Sequence, residues 1–112
     1  MDKIKKYRSY VQDVIRQLGQ EIPSTDTVEI QYIFDREHDH YQLFQVGWDL
    51  YEWVHGCILH LDIKNGKIWV QHNGTELPIA EEFVTLGVPK DDIVLGFQAP
   101  YKRQYTDRKS VV

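Results

Sequence analysis

The 112-residue chain predicts an α+β fold: a helix at the amino end, an antiparallel β-meander of four to five strands, and a short second helix packed mainly on one sheet face. Three observations support this. Ile4, Tyr7, Val11, Val14, Ile15 and Leu18 recur at steps of three and four with Lys, Arg, Gln and Asp between them, the period of an amphipathic helix. Val28, Ile30, Tyr32 and Phe34 alternate with polar residues, the period of a half-buried strand. Asn65-Gly66 separates two runs rich in branched side chains. That dipeptide is the strongest short hairpin signal, because a type I′ turn needs positive φ at both central residues.

Taken in order, Asp2 is placed to cap the first helix, and Gly19 with Pro23 to stop it. Strands follow over 28–34, 40–48, 54–64 and 67–72, with a polar turn at 36–39. Closing the first hairpin with Asp35 opposite His40 gives a core face of Ile30, Tyr32, Phe34, Tyr41 and Leu43. Closing the Asn65-Gly66 hairpin with Lys64 opposite Lys67 pairs Ile63 with Ile68, Leu61 with Val70 and Leu59 with His72. Cys57, Leu59, Leu61, Ile63, Ile68 and Val70 then share the core face. The other face receives Ile58, with Asp62 opposite Trp69 and His60 opposite Gln71. Pro78 starts the second helix and Gly87 ends it. The apolar run 93–97 reads as an added strand.

This length is expected to form one domain over 1–112. With 13 Lys and Arg against 17 Asp and Glu the net charge is −4, which argues against a free-standing nucleic-acid binder. The charge is uneven: residues 1–19 sum to +3, 20–100 to −10 and 101–112 to +3. Lys102, Arg103, Arg108 and Lys109 therefore form a candidate basic patch, and direct DNA contact through the two basic ends is an alternative to protein binding. The amino end lacks the apolar segment of a secretory signal, and no apolar run approaches the ~20 residues of a membrane helix. A cytoplasmic protein with no membrane contact is expected.

Catalytic patterns are weak. The single cysteine, Cys57, excludes an internal disulfide and is expected in the core, away from the exposure a nucleophilic thiol needs. The five histidines, His38, His40, His55, His60 and His72, scatter over different strands and faces in the derived register, so no metal site is expected. Asp49 with Asp62 and Lys64 loosely imitates the acid…acid-x-Lys spacing of restriction-type nucleases, but Asp62 and Lys64 read as hairpin surface. No cofactor motif is present, and the expectation is a protein without catalytic activity. The aromatic residues are more informative. Trp48, Trp53 and Trp69 cluster around the second to fourth strands, and the face opposite the core is half apolar. Trp48, Trp69, Phe44, Val46, Ile33 and Ile58 form a candidate interface, for a partner or a second copy in a homo-oligomer.

The segments 41–43, 46–48, 54–57, 59–63 (Leu-His-Leu-Asp-Ile) and 66–71 (Gly-Lys-Ile-Trp-Val-Gln) occur in this order. They are followed by 74–76, 79–80, 87–90, 92–97 and Tyr105-Thr106. Together they resemble the XisI family, the fdxN-element excision controlling factors of cyanobacteria, over essentially the whole chain. The resemblance implies an accessory role in programmed excision of a DNA element during heterocyst differentiation. It also implies a companion protein of the XisH family and a site-specific recombinase as partners, the recombinase performing the strand chemistry. It implies no catalytic residues.

Overall fold

In the computed structural model, which describes residues 2–23 and 25–104, the elements are α1 (Asp2–Glu21), β1 (Val28–Asp35), β2 (His40–Asp49), β3 (Glu52–Lys64), β4 (Lys67–Asn73), α2 (Ile79–Thr85) and β5 (Ile93–Leu95). Short 3-10 turns at Lys90–Asp92 and Pro100–Lys102 flank β5. The strands form a five-stranded sheet in sequence order. The first four are antiparallel neighbours, whereas β5 runs parallel to β4. A parallel pair needs a crossover connection, and α2 is that crossover.

Both helices pack on one face of the sheet. Val11, Ile15 and Leu18 of α1 and Ile79 and Phe83 of α2 share a core with Tyr41, Leu43, Leu59, Leu61, Ile68 and Val70. Each such side chain removed from water contributes about 1.5–3 kcal/mol. Polar ties fix the docking angle of α1. The Arg8 guanidinium donates to both Asp39 oxygens at 2.8 and 3.1 Å, and the Tyr7 hydroxyl donates to Asp92 Oδ2 at 2.5 Å. Lys3 Nζ lies 3.1 Å from the same Asp92 oxygen. The Arg8 hydrogen bonds hold the Asp39 carboxyl below its usual range. Burial pushes the Asp92 carboxyl up, but the bonds from Tyr7 and Lys3 outweigh it and hold it low.

Gly19 does not end α1, which continues to Glu21. The outer end of the Tyr32 ring lies against it, where a Cβ would sit 2.6 Å from Cε1 and push that exposed ring aside. The two hairpin turns follow the expected registers, with Asp35 opposite His40 and Lys64 opposite Lys67. Asn65 and Gly66 have φ of 56° and 75°, the two positive values a type I′ turn requires.

Two β-bulges break the alternation and correct the face assignments. Leu43 pairs with Leu59 but Phe44 pairs with Cys57, so Ile58 is an extra residue in β3. His60 pairs with His72 but Leu61 pairs with Val70, so Gln71 is an extra residue in β4. An inserted residue reverses the side on which the rest of the strand presents its side chains. Ile58, expected on the outer face, is instead in the core at 7% exposure. Cys57, expected in the core, lies opposite Phe44 on the outer face. His55, opposite Val46, now shares that face with His60 rather than opposing it. His72 pairs with His60 instead of Leu59 and is exposed, not on the core side.

Candidate functional site

The face of the sheet away from the helices has two unlike ends. At the end nearer the Asn65-Gly66 turn it is polar. β2 brings His40 directly opposite Asp62 of β3, and Gln42 opposite His60. Asp62 and His60 are two residues apart on one strand and so share a face. His40 Nδ1 lies 3.0 Å from Asp62 Oδ1, and His60 Nε2 lies 2.8 Å from the same oxygen. The bulged Gln71 donates its amide to the other oxygen, Oδ2, at 3.0 Å. Gln42 Nε2 stands 3.5 Å from the second nitrogen of His60, Nδ1.

Asp62 is only 7% exposed, unusual for a carboxylate unless it is fully partnered. Burial pushes its carboxyl upward, but hydrogen bonds from His40 and Gln71, together with His60, outweigh that and hold it below the usual range. The same contact raises the His40 imidazole above its ordinary value. His38 stacks on His40 with ring centroids 6.4 Å apart, and its Nδ1 lies 2.9 Å from Asp35. The histidines expected to scatter are thus partly gathered. The β2–β3 register alone brings them together, because His40 and Asp62 are 22 residues apart.

At the other end the face is open and mixed: Val46 lies between Glu29 and His55, and Phe44 between Gln31 and Cys57, while the hairpin end is aromatic. Trp48 and Trp53 are cross-strand partners with ring centroids 5.5 Å apart at 61°. Beyond them Leu50 and Tyr51 form the tip of the β2–β3 hairpin, 85% and 98% exposed. Leu50 has φ of 58°, a left-handed conformation that costs a branched side chain about 1–2 kcal/mol. Phe44 and Val46 are half-buried and Ile33 is exposed on the same face. Trp69 differs from the other two tryptophans: it is half-buried, flanked by the Lys64 ammonium at 4.1 Å and the Arg103 guanidinium at 5.7 Å from its ring centroid. The chain after β5 therefore covers the β4 side of the face, and no described element covers the β1–β3 side.

The nuclease-like triplet is dispersed. Asp49 pairs with Glu52 at one end of the β2–β3 ladder while Asp62 pairs with His40 at the other, about 30 Å away at the rise of a strand. Lys64 lies over Trp69. Burial raises the Cys57 thiol, the opposite of nucleophilic activation. Of the candidate basic patch, Arg103 packs on Trp69 and donates to the Gln98 carbonyl, and Lys102 lies over the Tyr101 ring. Arg108 and Lys109 lie outside the described residues. At the amino end Lys3 and Arg8 are engaged with Asp92 and Asp39.

The chain matches the family model described as XisI protein over residues 1–109. It belongs to the XisI family. Among solved structures, a XisI-like protein from Anabaena variabilis is 49% identical with a TM-score of 0.86, covering 91% of this chain and 94% of that one. The fdxN element excision controlling factor XisI from Anabaena variabilis is 38% identical with a TM-score of 0.77, covering 90% and 92%. No protein of curated function matches. Gln42, His60, Asp62 and Gln71 of the polar end all lie within the matched span. No described helix is long and apolar enough to cross a membrane.

Proposed function

We propose that this chain is a non-catalytic accessory factor that controls excision of a DNA element by docking a companion protein on the open sheet face. The observation that supports it most is the Trp48–Trp53 pair, extended by Leu50 and Tyr51 at a hairpin tip with no covering element among the described residues. Aromatic residues are the usual anchors of protein interfaces, and four large apolar side chains stand exposed together at this hairpin. The solved relative named as an excision controlling factor makes a regulatory role the natural use of such a surface. A XisH-like protein is the proposed occupant, with the site-specific recombinase acting downstream of that complex. Phe44, Val46 and Ile33 extend the surface, whereas Trp69 contributes its edge beside Arg103 and Ile58 stays in the core.

The test is co-purification of the chain with a XisH-like protein, followed by an excision assay in cells lacking each partner. A complex stable to gel filtration, and excision lost with either gene, is the expected result. Excision at the normal level without this chain contradicts the reading. Retention on element-end DNA that weakens steeply with salt and disappears with Lys102, Arg103, Arg108 and Lys109 would favour the DNA-binding alternative instead. A sizing column on the isolated chain tells self-association through the same face from docking of a different protein.

A further inference from the structure

We propose that His40, His60 and Asp62 form a binding site for a first-row divalent transition-metal ion of the zinc type, with one coordination position left open to solvent. One ligand atom from each of the three residues lies within 4.8 Å of the others. The two imidazole nitrogens are 3.0 and 2.8 Å from a single carboxylate oxygen, Asp62 Oδ1. In a tetrahedral zinc site with bonds near 2.0–2.1 Å, neighbouring ligand atoms are about 3.3 Å apart. The two imidazole–carboxylate spacings are within about half an ångström of that value, and rotation of the exposed His40 side chain brings the two imidazole nitrogens, within 4.8 Å of each other, to it. Two imidazoles and one carboxylate suit zinc, iron, nickel or copper rather than calcium or magnesium, which take oxygen ligands.

The surroundings are those of a supported site. Gln71 holds Asp62 Oδ2 at 3.0 Å, so only Oδ1 is turned towards the imidazoles. Gln42 faces His60 Nδ1. With the ion on Nε2 that nitrogen carries the proton, and rotation of the Gln42 amide presents its carbonyl oxygen as acceptor. Partners of this kind on the far side of a ligand fix its tautomer and orientation in metal sites. All three ligands sit on paired strands rather than loops, and β-bulges gather near sites where a side chain must be re-aimed. Here the bulge at Gln71 lies beside His60. The His40 side chain is 56% exposed and that of Asp62 10%, so the approach to the ion is from solvent, over the open face.

The test is titration of the full chain with Zn²⁺ by calorimetry and with Co²⁺ by visible absorption. One ion per chain is expected, with the intense Co²⁺ bands of a four-coordinate site. His40→Ala is the decisive variant, because that side chain is exposed and its loss leaves the fold intact. It is expected to weaken Zn²⁺ binding by at least about 100-fold, as are His60→Ala and Asp62→Asn, whereas Gln71→Ala weakens it about 10–100-fold. His55→Ala is expected to bind as the wild type does. Absence of saturable one-to-one binding, or equal binding by His40→Ala, overturns the proposal. It does not depend on the docking reading: Trp48→Ala with Trp53→Ala should leave Zn²⁺ binding unchanged.

Discussion

The two faces of the sheet are cut from the same strands, alternate residues going to each, yet they answer to different demands. The helix-covered face is filled by branched and aromatic side chains, and alternation satisfies it except where the bulge adds Ile58 beside Leu59. The open face keeps a nearly buried carboxylate between two imidazoles, a leucine in a left-handed conformation and an exposed tryptophan pair. None of these is what stability alone selects, and departures from local rules concentrate where a surface is used. One face of this sheet holds the fold and the other is available to act.

Substitutions should therefore separate by face. Leu61→Ala, at a fully buried position on the covered face, is expected to cost about 2–5 kcal/mol, read from the urea midpoint. A cost under about 1 kcal/mol would erase the distinction. Tyr7→Phe removes the hydroxyl bonded to the Asp92 carboxylate and is expected to cost about 1.5–3 kcal/mol near neutrality. The sign of its pH dependence follows from Asp92, whose carboxyl is held low in the folded protein. Its contribution is complete above the ordinary carboxylate pKa and fades as pH falls through the depressed value. The stability gap between wild type and Tyr7→Phe should thus narrow in acid; a gap constant with pH would sever Tyr7 from that ion.

On the open face the effects on stability should be small. Trp48→Ala and Trp53→Ala together remove one edge-to-face pair, expected to cost about 0.5–1.5 kcal/mol beyond the modest burial lost. A loss as large as that of Leu61→Ala would make the hairpin part of the core. Leu50→Gly relieves the positive φ of a side chain that is 85% exposed. It is expected to raise stability by up to about 1 kcal/mol. A drop of the same size would mean that Leu50 packs.

The covered face was legible because its information is local. The stripe of α1, the alternation of β1 and the Asn65-Gly66 turn each specify burial without reference to distant residues. The bulges were not legible, because neither Ile58 nor Gln71 differs in type from its neighbours in a way that marks an insertion. Missing them sent Cys57 inward and Ile58 outward, and separated His55 from His60. The polar cluster was missed for a related reason. Its geometry depends on the β2–β3 register, and the turn that sets that register is Leu50-Tyr51, a pair without the usual glycine or asparagine. Trp48 opposite Trp53 fixes the pairs only as far as Phe44 and Cys57, and the cluster lies beyond the bulge at Ile58, where that register would set His40 against Leu61 instead of Asp62. The parallel placement of β5 depended on how α2 crosses the sheet, which three residues of strand do not announce.

The proposed role of the open face rests on its hairpin being the surface that meets a partner. Calorimetric titration of the XisH-like protein with wild type and with the Trp48→Ala/Trp53→Ala variant tests it most directly. Saturable binding is expected for wild type and at least about 10-fold weaker binding for the variant, a loss of roughly 1.4 kcal/mol, with the variant still cooperatively folded. Equal affinity of the two would contradict it.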